Sequence, residues 1–259
     1  MIVAISTMTS LMWSSPVISR SIHTNTPLML RGVDSFGWTA QEQATLIRSI
    51  CHDIEVSPTT FAELLQMDGV REELTLRSSF GFMAFHGGGL EALTDIVARE
   101  AAAQSNASYY AVIHPDGDPP HLPSTRFQPD ESPTMRSFFE HVDVVITIHG
   151  FGRRGLFSSL LLGGTNRPLA KHLRSVLQPH LPAYNLIDDV DDIPKYLRGL
   201  HPKNPVNLPK HGGVQIELPP RVRGTSPMWW DWEGGLTPHT KSLIEGLAEG
   251  VRSWPLTGD

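Results

Sequence analysis

The chain is nearly without cysteine. Cys51 is the only one in 259 residues, so no intrachain disulfide forms and a cysteine-built zinc cluster is excluded. Any metal here must be held by histidine and carboxylate. Basic residues are missing from the start of the chain. No Lys or Arg precedes Arg20, and Met1-Ile-Val-Ala-Ile5 is followed mostly by Ser, Thr and Met, which lacks both the basic start and the long apolar centre of a secretory signal. No apolar run reaches bilayer-crossing length. Cytoplasmic residence is therefore the default expectation, with extracellular action open to an enzyme released by lysis. Positive charge is in deficit as well: 21 Lys and Arg stand against 27 Asp and Glu, a formal net charge of -6. Nucleic acid and anionic membrane do not attract a protein of that sign overall, so neither is expected as a partner.

What is present is a 40% hydrophobic content, sufficient for the core of one large α/β domain. Residues 1–27 contain Pro16, Pro27 and many Ser and Thr, the composition of a partly ordered arm. Ala44, Leu46, Ile47 and Ile50 then mark a helix over 39–50, so residues 1–55 read as arm and helix and 56–259 as the main domain. Ser57-Pro58 opens a helix carrying Phe61, Leu64 and Leu65. Beyond it, apolar runs at 82–85, 108–113, 144–149, 156–162, 184–187 and 212–218 predict strands. Helical spacing at 92–104, after Ser132-Pro133, at 166–177 and briefly at 194–197 predicts helices between them. The alternation predicts one mixed, mainly parallel sheet flanked by helices. His201-Pro-Lys-Asn-Pro-Val-Asn207 is too polar and proline-rich for an element and reads as a loop.

Three stretches carry chemistry. Phe82-Met-Ala-Phe-His86-Gly-Gly-Gly-Leu-Glu91 delivers a histidine at a strand end, then glycines whose freedom of φ lets Glu91 turn toward the same point. Val144-Val-Ile-Thr-Ile-His149-Gly150 again stops at His-Gly. Strand ends at one sheet edge would bring His86, Glu91 and His149 within reach of one ion, and two His with one Glu form a hydrolytic zinc set that leaves a position for water. The plainer alternatives are a simple His-Gly turn and a glycine loop that cradles phosphate. His114 and His121 are ligands by type only, since the Pro-rich segment between them imposes no shared face. Phe151-Gly-Arg-Arg-Gly155 sets Arg153 and Arg154 beside this site, either to grip a substrate carboxylate or as a solvated loop. In Gly212-Gly-Val-Gln-Ile-Glu217-Leu-Pro-Pro220, strand alternation puts Val214, Ile216 and Leu218 on one face and Gln215 and Glu217 on the other. An acid on so apolar a strand either pairs with Arg221 or Arg223, or opens onto a cleft as a general base.

Taken together and in order, His86-Gly-Gly-Gly-Leu-Glu91, Ile148-His149-Gly150 and Gly213-Val-Gln-Ile-Glu-Leu218 resemble the poly-γ-glutamate hydrolase family. That family is typified by bacteriophage enzymes that degrade the γ-linked glutamate capsule polymer. The resemblance spans residues 61–254, and its first and third pieces are the specific ones. It implies a zinc-carboxypeptidase-like fold, zinc (Zn2+) held by His86, Glu91 and His149, and Glu217 as the catalytic acid and base. It also implies amide hydrolysis in an anionic peptide or polyglutamate, whose carboxylates Arg153 or Arg154, and then Arg221 or Arg223, would hold. In the family pattern Pro and Gly follow the ligand Glu, whereas Ala92 and Leu93 stand here, which predicts a differently shaped helix start. The rival readings are a carboxypeptidase or deacylase acting on amino-acid derivatives or cell-wall peptides, and a non-catalytic phosphate binder built on Gly87-Gly88-Gly89. Glu91 speaks against the second, because its charge would repel phosphate.

Overall fold

Apolar runs that stop at glycine or histidine build the centre of the sheet. The computed structural model describes residues 58–225 and 235–255, together with Gln41. The chain divides into two units, Met1–Glu55 and Val56–Asp259, and the fold is that of the second. The arm expected over 1–27 and the helix over 39–50 lie outside the described residues, Gln41 apart.

The strands are β1 (Arg71–Thr75), β2 (Ser78–Gly88), β3 (Ala107–His114), β4 (Val144–Gly150), β5 (Ser159–Leu162), β6 (Asn185–Ile187) and β7 (Gly213–Leu218). They form one seven-stranded sheet in the order β1-β3-β2-β4-β7-β5-β6. The four central strands β3, β2, β4 and β7 run parallel. On the flanks, β1 is antiparallel to β3 and β5 antiparallel to β7, with β6 parallel to β5. The sheet is thus mixed and mainly parallel, as the alternation predicts.

The helices are α1 (Phe61–Leu64), α2 (Thr94–Ser105), α3 (Pro133–His141), α4 (Arg167–His180), α5 (Pro220–Arg223) and α6 (Pro238–Arg252). Their starts follow local chemistry. Ser132 caps α3 by accepting from the Met135 amide, and Asn166 caps α4 by accepting from that of Leu169, each with a proline in the first turn. One sheet face, carrying Phe80, Phe82, Ile146, Ile148, Val214 and Ile216, is covered by α2, α4 and α6. The other, carrying Met83, Phe85, Tyr110 and Val145, packs on α1, α3, Leu122 and Phe127. Each fully buried Phe, Leu or Ile contributes roughly 1.5–3 kcal/mol, so both layers are firmly held.

Several boundaries differ from expectation. The strand expected at 82–85 runs over Ser78–Gly88 and takes in two of the three glycines. β5 starts at Ser159, because Leu156 sits in a turn before it. The expected loop at 201–207 closes in a 3-10 turn at Pro205–Asn207. No helix among the described residues is long and apolar enough to cross a membrane.

Candidate metal centre

A bulge decides where His86 points. By strand alternation His86 belongs with Phe82 and Ala84, on the face covered by α2. The β2–β3 register, however, runs from Ala84 opposite Ala111 to Gly87 opposite Ile113, three steps in β2 against two in β3. The extra residue resets the alternation. The His86 ring therefore lies on the opposite face, 5.7 Å from the Phe127 ring and 5.2 Å from that of His149. His149 reaches this face by ordinary alternation from Val145 and Thr147, and Glu217 of β7 is its register partner.

The glycines do another job than the one expected. Gly88 has φ of 70°, and a Cβ there would lie 2.4 Å from the His114 carbonyl oxygen; at Gly89 it would lie 2.2 Å from that of Pro115. They let the end of β2 lie against the end of β3, not against a ligand. Their amides are engaged within the protein: Gly88 donates to Asp95 Oδ1 at 3.1 Å and Gly89 to the His114 carbonyl at 3.1 Å. The Glu91 amide donates to the His86 carbonyl at 2.7 Å. That overturns the phosphate-loop reading, which needs these amides free.

The turn so formed brings Glu91 between the two histidines. His86 Nδ1 lies 2.8 Å from Glu91 Oε1, and His149 Nδ1 lies 3.4 Å from Oε2. The Gly150 amide donates to Oε2 at 2.8 Å, so one carboxylate ties together the ends of β2 and β4. His86 Nε2 donates to the Leu122 carbonyl at 2.9 Å. A carbonyl only accepts, so Nε2 carries a hydrogen, and Nδ1, turned toward Glu91, is the ring atom on the side where an ion would be held. One donor atom from each of His86, Glu91 and His149 falls within 4.8 Å of the others. The group fits a divalent ion: its donors are the imidazoles and carboxylate that zinc accepts, and His149 Nε2 is buried with no hydrogen-bond partner. His114 is not part of the group, and its Nε2 lies 3.1 Å from the Phe85 carbonyl.

The electrostatics match this arrangement. Burial works to raise the Glu91 carboxyl, but His86 and His149 overcome it and hold the group well below the usual carboxylate range. Burial works to lower His149, yet Glu91 and then Glu217 hold it above its ordinary value. Glu217 behaves oppositely. Burial, with Glu91 adding to it, pushes its carboxyl up to about 7 against the pull of His149. Its Oε1 accepts from Gln215 Nε2 at 2.8 Å. No Lys or Arg among the described residues forms an ion pair with it, so the alternative pairing with Arg221 or Arg223 is not made.

These groups line a cavity of about 710 Å³ that includes His86, Glu91, His149 and Glu217. Among the described residues, no α-helix lines this cavity. Its walls are the segments around His121–Thr125 and Lys195–His201, with Asn204. Arg153 stands over the Tyr196 ring at 4.4 Å, at a residue that lines the cavity, and Arg154 is exposed. The structure does not bring the other two expected arginines to the cavity. Arg221 donates to Ser158 Oγ at 2.7 Å and stacks on Tyr184. Arg223 is buried, donating to the carbonyls of Ala92 at 2.9 Å and Leu218 at 3.3 Å. The reason is α5, which begins at Pro220 and turns Arg223 behind Gly150. Sequence reasoning missed Lys195, Tyr196 and Gln215 as cavity residues; only Gln215 carried a signal, its shared strand face with Glu217.

Comparisons with known proteins bear on the family and the fold. The family model of poly-gamma-glutamate hydrolase matches residues 60–227. No curated protein matches the sequence. Among solved structures, a bacteriophage poly-gamma-glutamate hydrolase superimposes with a TM-score of 0.58 at 21% identity, covering 73% of this chain and 91% of the other. The zinc-free apo form of YNDL superimposes with a TM-score of 0.63 at 23% identity, covering 77% of this chain and 99% of the other. Both share the fold. With most of the chain matched by the family model, this protein belongs to the poly-gamma-glutamate hydrolase family and is a hydrolytic enzyme of the peptidase type.

Proposed function

We propose that this chain is a zinc-dependent amidohydrolase that cleaves γ-glutamyl amide bonds in poly-γ-glutamate or a similar anionic peptide, with residues 56–259 as its catalytic domain. The observation that carries the reading is the meeting of His86, Glu91 and His149 at the wall of a cavity that also holds the buried carboxyl of Glu217. When bound by those three residues, the ion supplies the positive charge that polarises the scissile carbonyl and acidifies water.

The protein's own groups do the rest. The Gly150 amide and the Leu122 carbonyl fix Glu91 and the His86 ring. Gln215 fixes Glu217 Oε1, leaving Oε2 to take the proton of the attacking water and pass it to the leaving nitrogen. A carboxyl near 7 exchanges protons readily at neutral pH. Arg153 and Arg154, in the segment that follows β4, would meet substrate carboxylates.

Two measurements test the reading: elemental analysis of the purified protein, and hydrolysis of α-linked against γ-linked oligoglutamate with and without chelator. Zinc at one ion per chain and chelator-sensitive cleavage of the γ-linked oligomer are expected. Cleavage of the α-linked oligomer alone would turn the reading to a carboxypeptidase.

A further inference from the structure

Lys195 is the unassigned charge in this cavity. Of the described residues that line it, Lys195 is the only lysine or arginine. It is exposed, and among the described residues it has no hydrogen bond or ion pair. Three arginines on the surrounding segments are engaged within the protein. Arg223 holds two carbonyls, Arg221 holds Ser158, and Arg198 donates to the Ile193 carbonyl and to Asp191. An uncommitted cation stands where, among the described residues, the carboxylates lining the cavity are those of Glu91 and Glu217, neither of them paired with it.

The backbone that presents Lys195 is pinned. It opens the 3-10 turn Lys195–Leu197, whose last amide donates to the Pro194 carbonyl at 2.8 Å. Gln215 Nε2 reaches the Leu197 carbonyl at 3.3 Å, and the Gly164 amide donates to that of Arg198 at 2.8 Å. The neighbouring Tyr196 is 60% exposed, with the Arg153 guanidinium over its ring. Lys195, in the cavity lining, thus immediately precedes the exposed ring over which the Arg153 guanidinium stands. A γ-linked glutamate chain carries one free carboxylate per residue, a spaced row of charges that such a pair can meet.

We propose that Lys195 and Arg153 form an anion subsite, in which Lys195 pairs with the free carboxylate of the substrate residue nearest the catalytic groups and Arg153 with that of the next residue outward. This rests on the γ-glutamyl reading. It makes Lys195 a specificity-determining residue that separates acidic polymers from neutral peptides. An ammonium suits the task because it acts as a point charge on a flexible stem, tolerant of a sliding polymer.

The test compares the wild-type protein with Lys195→Gln, Lys195→Arg and the distant control Lys241→Gln. The probes are a γ-linked glutamate oligomer and the same oligomer with its free carboxylates amidated. For the acidic oligomer, Lys195→Gln should raise KM about tenfold and leave kcat within about threefold, as lost uniform binding does, and should weaken the salt dependence of binding. Binding of the amidated oligomer should not change, Lys195→Arg should restore most of the effect, and Lys241→Gln should have none. An unchanged KM, or equal losses for both oligomers, overturns the subsite. Should the wild-type protein cleave neither oligomer, the γ-glutamyl reading fails. Direct titration of the acidic oligomer then decides the subsite: binding weakened about tenfold in Lys195→Gln keeps it, and equal binding removes it.

Discussion

Glu217 is 4% exposed and has an amide, not a cation, as its hydrogen-bond partner. Its carboxyl is raised from 4.5 to about 7, chiefly by burial. The folded value lies above the unfolded one, so in the metal-free protein the stability tied to its protonation is fully present below about pH 4.5 and lost as pH rises through 7. Glu217→Gln keeps the shape without the ionisation. It should match the wild-type protein at acidic pH and exceed it above pH 7, by up to about 3 kcal/mol for a shift of this size. Turnover of the loaded enzyme should fall by roughly two to four orders of magnitude, the contribution of a positioned proton carrier. Denaturant titrations of both metal-free proteins on either side of neutrality check the first part. A variant less stable in alkali would mean that Glu217 is a structural ion-pair partner after all. The residue itself was legible, since an acid between Ile216 and Leu218 in an apolar strand is unusual. Its protonation was not, because that depends on which of Arg221, Arg223 and Gln215 the fold brings near.

At the scale of elements, strand ends were legible and their surroundings were not. The runs into His86, His149 and Glu217 announce buried parallel strands because they are mostly apolar, with Thr147 and Gln215 as the polar interruptions before His149 and Glu217. β1, Arg-Glu-Glu-Leu-Thr, has no apolar alternation. It is held at the edge by the Tyr110 hydroxyl donating to Glu72 at 2.6 Å and that of Tyr109 donating to Glu73 at 3.2 Å, partners that lie far along the chain. The bulge that turns His86 leaves no mark in composition, since Phe85-His86 reads as ordinary alternation. The start of α2 was half legible: Leu93 stands where the family pattern has glycine, and it adopts φ of 71° with no side-chain cap. A left-handed conformation costs a side-chain-bearing residue about 1–2 kcal/mol. Leu93→Gly should relieve that strain, offset in part by glycine's freedom in the unfolded chain, for a net gain of up to about 1 kcal/mol. Thermal unfolding measures it, and a loss of melting temperature would show that Leu93's packing outweighs its backbone strain.

At the scale of the whole molecule, the three residues of the candidate metal centre come from β2, from the turn before α2 and from β4, so only the folded chain assembles them. Any ion they bind therefore stabilises the native state over the unfolded one. A site filled at a hundredfold excess over its dissociation constant gains about 2.7 kcal/mol. For a domain of this size each kcal/mol moves the melting temperature by about 2–4 °C, so zinc should raise it by roughly 5–10 °C and a chelator should reverse the rise. His149→Ala should abolish the response and the retained metal together. Glu217→Gln, which removes no ligand, should keep both. Full retention in His149→Ala would strike His149 from the set, and a wild-type protein with neither metal nor a thermal response would overturn the metal centre. The comparison separates a metal that the site selects from one attracted by the chain's net charge of -6. Loosely held cations are screened by salt, whereas ligation by two buried imidazoles and a partly buried carboxylate should survive an increase in ionic strength unchanged.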